Sequence, residues 1–259
     1  MTDPKGTVAW IAMAPVKSMA LVFVDHAEIG PAGVVGDRAY AVVDDVGRVV
    51  NGKRAGFLAT VHVETGPDGA LTLRLPNGQS ATGHPQRTES TEAMFTRGPR
   101  SARVIEGPWS ELLSHWSGRS VRLVAVPADG GKDRGPSVTL VSTAALAALA
   151  AHGGESEPLD GRRFRMTFGV EGVPAYAEDR WIGQRVRVGK ALIQIAGNVG
   201  RCAVTTQDPD TGRPTFDTLR ALQHSRGHLP TSEPLPFGVW AEVVEPGGVA
   251  IGDDLRVEP

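Results

Sequence analysis

Short runs rich in Val, Ile and Leu recur along the chain. They predict strands over residues 8–13, 21–28, 40–44, 58–64, 71–75 and 121–126, then over 191–196, 203–206, 239–244 and 255–258. Residues 71–75 alternate Leu, Thr, Leu, Arg, Leu, the period of a strand with one wet face. Turn residues separate the runs, as in Asp45-Val46-Gly47, Pro67-Asp68-Gly69, Pro76-Asn77-Gly78 and Pro246-Gly247-Gly248. Helical spacing is rarer. Residues 109–116 carry Leu112, Leu113 and Trp116 at that spacing, and 216–224 put Leu219 and Leu222 on one face. Residues 143–152 are alanine-rich, with Ser142 placed as an N-cap and Gly153-Gly154 as a stop. The expected class is mainly β with a few helices (α+β). Residues 97–103 are polar and basic, and 127–136 are rich in Gly, Asp and Lys, so either could be a boundary. A split near 125 is favoured. It gives an N-terminal β-barrel-like domain over 1–125 and a second β-barrel-like domain over 126–259.

Composition narrows the function classes. The 259 residues suit one large domain or two small ones. Glycine and proline number 32 and 19 and are scattered, which suits many tight turns. A net charge of −2 argues against nucleic-acid binding through counterion release. The longest apolar stretch, 138–151, is interrupted by Thr139, Ser142 and Thr143. It falls short of the roughly 20 residues a membrane span needs. No export signal stands out at the N-terminus, so no membrane association is expected and the cytoplasm is the expected location. One cysteine, Cys202, cannot make a disulfide within the chain, a CxxC pair, a Cys-rich zinc site or a four-cysteine cluster.

Among the seven histidines none lies in HExxH. His224 and His228 stand four apart, but across Gly227, and read as solvated. No GxSxG, Walker A or dinucleotide-binding glycine pattern is present. Arginine outnumbers lysine 22 to 5. Lys17-Ser18, Gly36-Asp37-Arg38, Arg162-Arg163-Phe164-Arg165 and Arg201 either surround a phosphorylated ligand or form a solvated basic face. Cys202 lies in RCAVTTQDPDTG (201–212). It reads as a small packed side chain or as a thiolate ligand to a metal whose other positions a cofactor fills, with Thr205 and Thr206 adding hydroxyls nearby.

That segment resembles the cysteine segment of the MOSC family, the molybdenum cofactor sulfurase C-terminal domain. Tyr176-Ala177-Glu178-Asp179-Arg180-Trp181-Ile182-Gly183 resembles the family's FAEDxWxG. Phe237-Gly238-Val239-Trp240-Ala241 and 246–253 resemble its closing strands. Pro15-Val16-Lys17-Ser18 and 33–38 resemble the β-barrel domain that often precedes MOSC. The resemblance implies a molybdenum cofactor, a molybdopterin-bound metal ligated by Cys202. Lys17, Ser18 and Arg38 would hold the pterin or its phosphate, Arg165 matches the arginine of FRPN, and Arg201 precedes the metal ligand. The departures are Thr167 for the FRPN asparagine, Arg38-Ala39-Tyr40 for the usual RxW, Arg54 standing for the arginine of TxR, and Ser137 for a Thr-Ser pair. They imply a retained cofactor with a pocket for a different substrate.

The resemblance implies a molybdenum-dependent oxidoreductase that reduces N–O bonds of small N-hydroxylated or N-oxide substrates. The departing oxygen needs an acid. Asp208 is the candidate, with a turn-capping role as the other reading. With one cysteine the chain holds no cluster, so an external donor protein is expected: a ferredoxin, a cytochrome or a flavin reductase. The alternative is a carrier of the cofactor, or a sulfur-transfer protein with a persulfide on Cys202.

Overall fold

A computed structural model describes residues 5–128, 131, 132, 135 and 137–258. Strands hold 43% of the residues and three α-helices are present among those described, so the class is mainly β as expected.

Seven strands close into a barrel: β1 (Gly6–Met13), β2 (Val138–Ser142), β3 (Phe168–Glu171), β4 (Arg185–Val188), β5 (Ala191–Gly200), β6 (Pro236–Glu245) and β7 (Asp254–Glu258). Around the barrel the order is β3, β2, β6, β5, β4, β7, β1 and back to β3. Only β2 and β3 run parallel, with Leu140 opposite Phe168; the other neighbours are antiparallel. Alternate side chains fill the interior, among them Val8, Ile11, Leu140, Phe168, Ile193 and Val239, all nearly or fully buried. Full closure removes the exposed edge that an open sheet must protect. The barrel is not confined to the second half of the chain. β1 lies before residue 125, yet it joins β7 to β3 with Thr7 opposite Asp254 and Val8 opposite Val170.

Between β1 and β2 the chain builds a second unit. A four-stranded sheet orders Tyr40–Asp44, Val121–Ala125, Gly98–Glu106 and Gln86–Phe95. A three-stranded meander runs through His62–Thr65, Leu71–Arg74 and Ser80–Gly83. Helix α1 (Trp109–Ser117) packs between them, and the fully buried Trp109 donates its indole N–H to the Leu71 carbonyl at 3.0 Å. Helices α2 (Thr143–His152) and α3 (Thr218–Arg226) form an outer layer on the barrel.

Several expected elements change. Residues 97–103 are not a boundary but the turn and first residues of the Gln86–Phe95/Gly98–Glu106 hairpin; it is polar because most of its first strand is solvent-facing. The run 21–28 breaks at Asp25 into Val22–Val24 and His26–Gly30. The run 58–64 becomes a 3-10 turn, Gly56–Thr60, followed by a strand. Residues 203–206 form a 3-10 turn and not a strand. Thr205 and Thr206 return their hydroxyls to the carbonyls of Cys202 and Ala203, at 3.0 and 2.7 Å, a local bond that competes with sheet pairing. Ser142 begins α2, but its hydroxyl accepts the Tyr176 N–H at 3.2 Å instead of capping the helix. The candidate boundary 127–136 lies partly outside the described residues.

Candidate functional site

Cys202 sits where β5 ends. Its backbone is extended, and its carbonyl accepts the Thr205 N–H and hydroxyl, both at 3.0 Å, so the following turn fixes its position. The thiol-bearing residue is partly exposed. Beneath it, Arg201 is almost fully buried. Its guanidinium donates to the Phe237 carbonyl at 2.9 and 2.5 Å, to the Phe164 carbonyl at 2.9 Å and to the Met166 sulfur at 2.8 Å. It also lies against the Phe164 and Phe237 rings. This is a correction to the expected anion-facing role: Arg201 locks the backbone that carries Cys202.

Three loops converge on the Cys202 turn. The Ser18 hydroxyl accepts the Gly52 N–H at 3.1 Å, and the Gly52 carbonyl accepts from Gln207 Nε2 at 2.9 Å. Gly56 approaches so closely that a Cβ there would lie 2.4 Å from the Gly212 carbonyl oxygen. The 3-10 turn Gly161–Phe164 packs on the Ala203–Thr206 turn, with Arg163 Nη1 donating to the Thr206 carbonyl at 3.1 Å. Arg165 follows directly and bonds the Met19 carbonyl at 2.8 Å, next to Ser18.

The cations of these loops differ in what they meet. Arg162 is paired with Asp160 and bidentate on Asp210, and Arg163 binds Thr206, Thr215 and, at 3.6 Å, Asp208. Arg165 has no carboxylate within ion-pair distance among the described residues. Burial first, then the neighbouring Arg38, pushes it down to about 9, with Asp37 offsetting only part. Arginine keeps its proton in proteins, so Arg165 holds its charge in this desolvated place. Arg38 donates to Asp37 at 2.5 Å. Burial opposes the charge of Asp37, but Arg38, Lys132 and the Ala14 N–H together hold the carboxyl below its usual range. Lys17 is buried, donates to the Gly131 carbonyl at 3.1 Å and lies 5.5 Å over the Phe95 ring.

Backbone strain marks the same place. Five non-glycine residues have left-handed backbones among those described, and three are Ser18, Arg38 and Arg165, at φ 71°, 54° and 53°. Each such residue costs roughly 1–3 kcal/mol and persists where the surroundings over-determine it, commonly at ligand sites.

The remaining expected residues fall elsewhere. Asp208 is a correction. Its Oδ1 accepts from the N–H groups of Asp210 and Thr211 and from the Thr211 hydroxyl, at 3.0–3.1 Å, so it closes the 208–213 turn and is given no acid role. Thr167 is buried and pairs with Thr139 across the sheet, and Ser137 binds the Gly135 carbonyl, so both hydroxyls are committed to the fold. Thr205 is likewise turned to the Cys202 carbonyl. Arg54 is exposed and lines a groove of about 400 Å³ with Phe57 and Trp116, which none of Lys17, Ser18, Arg38, Arg165 or Cys202 lines. Two residues of the site carried no clear signal in the sequence. Gln207 bridges the loops, and Lys132 lies in a segment that read as a linker.

No three metal-ligating side chains cluster among the described residues, so a metal on Cys202 needs ligands that a cofactor brings. A partly exposed cysteine, and a half-buried Arg165 with no carboxylate in ion-pair distance among the described residues, fit an anionic, metal-bearing cofactor.

The fold and site define a two-part β protein whose closed barrel carries one cysteine at a turn where the loops of Ser18, Gly52 and Arg163 meet. The chain belongs to the MOSC family. The MOSC domain matches residues 129–256, and the MOSC N-terminal beta barrel domain matches residues 5–112. Known members include molybdenum-dependent reductases, and the family commonly binds the molybdenum cofactor. Mitochondrial amidoxime-reducing component 1 of Xenopus laevis is 25% identical over 96% of this chain and 81% of its own length. Mitochondrial amidoxime reducing component 2 of Bos taurus is 26% identical over 96% and 82%. The YuaD protein of Bacillus subtilis has a TM-score of 0.46 and 13% identity over 98% of this chain and 95% of its own. No helix among the described residues is long and apolar enough to cross a membrane.

Proposed function

We propose that this chain is a molybdenum-cofactor-dependent reductase of N–O bonds in small N-hydroxylated or N-oxide compounds. The observation that carries the reading is the net positive group of Arg38, Asp37 and Arg165, in which Asp37 pairs with Arg38 while Arg165 meets no carboxylate among the described residues, on loops that converge on the turn of the single cysteine. Similarity to the amidoxime-reducing components supports the substrate class.

Arg38 and Arg165, with Lys17 beside them, would hold the cofactor's phosphate, and Cys202 would give the metal its protein ligand. When bound, the cofactor supplies two-electron oxygen-transfer chemistry. The chain's part is positional. The Ala203–Thr206 turn and the buried Arg201 fix the Cys202 backbone, so Cys202 would be held ready as the metal's protein ligand. The Ser18, Gly52 and Gln207 bonds clamp the first unit's loop onto the same turn. These residues hold no redox centre of their own, so we assign the electrons to an external ferredoxin, cytochrome or flavin reductase.

The test is purification of the full chain from cells with intact cofactor biosynthesis. Wild type is expected to carry molybdenum and pterin and to reduce an amidoxime with a chemical reductant. Cys202→Ala is expected to lose the metal and at least about a hundredfold in rate, the size of effect that follows loss of a positioned catalytic group. Wild-type protein without molybdenum, carrying a persulfide on Cys202, would replace this reading with sulfur transfer.

A further inference from the structure

Lys132 is 7% exposed and reaches across the fold. Its ammonium donates to the carbonyls of Ala32 and Ser137, each at 2.7 Å, and lies 3.7 Å from Asp37 Oδ2. The same oxygen accepts from Arg38 at 2.5 Å. Space for the ammonium is reserved: a Cβ on Gly33 would lie 2.3 Å from Lys132 Nζ, and Gly33 holds φ at +98°. Burying an ammonium is costly, and two carbonyls alone would be served by a neutral donor. The carboxylate of Asp37 explains why the residue is charged. Without Lys132, Asp37 cancels one of the two charges of Arg38 and Arg165; with it, Asp37 is offset and both remain.

We propose that Lys132 is a positioning residue for anion binding: by sharing Asp37 Oδ2 with Arg38, it leaves the Arg38–Arg165 pair doubly positive toward the cofactor's phosphate. The inference rests on the cofactor reading above. Burial, with Arg38 adding to it and Asp37 opposing both, brings Lys132 down to about 8.

The experiment uses the full chain with Lys132→Gln, which keeps a donor for the two carbonyls and loses the charge, and with Lys132→Gln combined with Asp37→Asn. Molybdenum content and the rate of cofactor release are measured, together with the rise in melting temperature produced by inorganic phosphate over chloride at equal ionic strength. One charge at this range, at the effective dielectric of a partly buried site, is worth about tenfold in affinity or more. K132Q is therefore expected to release cofactor about tenfold faster and to lose most of the phosphate effect. The double variant, with the unbalanced carboxylate gone, is expected to return to within about threefold of wild type. A residue that only ties loops together gives the opposite: the second change adds damage, because Asn keeps the Ala14 N–H but no longer accepts from Arg38 at the second oxygen's place. Wild-type retention in K132Q, or a double variant worse than K132Q, overturns the proposal. If wild type carries no molybdenum, the cofactor reading fails separately. The phosphate arm then decides, and an equal phosphate shift in wild type and K132Q, or none in either, overturns the anion role of Lys132.

Discussion

Arg201 and Arg165 stand on two sides of the same cysteine turn and are opposite in kind. Arg201 points into the barrel wall and finds two backbone carbonyls, a sulfur and two aromatic rings. Arg165 bonds a single carbonyl, feels the repulsion of Arg38 and meets no carboxylate in ion-pair distance among the described residues. The first is satisfied by the fold; the second, under the proposed function, is satisfied by the cofactor's phosphate. Residue type is the same in both, so the partner set, not the arginine, separates a structural role from a binding one. Arg162 and Arg163 fall with Arg201, since carboxylates, a hydroxyl and a carbonyl account for them.

The sharpest break in this comparison is a stability measurement. Arg201→Met strands the Phe237 and Phe164 carbonyls in the interior. At ~1–3 kcal/mol for each buried acceptor left unmade, the loss is expected to reach about 3–5 kcal/mol in denaturant unfolding, with activity falling only as the fold fails. A loss below about 1 kcal/mol would mean that Arg201 is not the lock the contacts describe.

Arg165→Met is the converse. It gives up one hydrogen bond and relieves repulsion with Arg38, so stability should change by less than about 1 kcal/mol. Cofactor content in the same preparation is expected to fall about tenfold, equivalent to 1.4 kcal/mol of binding. If both variants lose stability alike and Arg165→Met keeps its molybdenum, the two arginines are the same kind of residue after all.

Much of this was legible in the sequence, and what was not has a physical cause. The strands 40–44 and 121–126 and the helix 143–152 were read nearly to the residue, because their apolar runs are bounded by turn residues. The hairpin of Gln86–Phe95 and Gly98–Glu106 was missed because it buries too few side chains to leave a period. Closure of the barrel by β1 was invisible: Val8 and Val170 are neighbours only in space. The motifs name Lys17, Ser18, Arg38, Arg165 and Cys202, and the loops of Ser18 and Arg165 meet near the Cys202 turn. Motif alone misassigned Arg201, Asp208 and Arg54, because spacing does not tell which way a side chain turns. Lys132 left no trace, since its meaning depends on Asp37, Ala32 and Ser137 meeting across 100 residues of chain.

The comparison extends to an acid on the structural side, where the expected effect is smallest. Glu178 is 1% exposed; Oε1 accepts the Ser142 N–H at 3.1 Å, while Oε2 is buried without a hydrogen-bond partner among the described residues. Burial, the largest influence, raises its pKa above the ordinary carboxylate value, and the adjacent Asp179 adds to this. A carboxyl whose folded pKa lies above its unfolded one loses stability as pH climbs between those two values, and recovers it on acidification. Glu178→Gln keeps the acceptor for Ser142 and removes the charge. It should therefore be more stable than wild type at pH 8, by a few tenths to about 1 kcal/mol, the scale of a modest hydrogen-bond or burial difference. The gap should close as pH falls below about 4.5, where wild type is also neutral. Urea unfolding of both proteins at pH 8, 6 and 4 reads the gap directly. A wild type that is the more stable at pH 8 would place a cation on Oε2, and Glu178 would then join Arg201 as a group the fold fully satisfies.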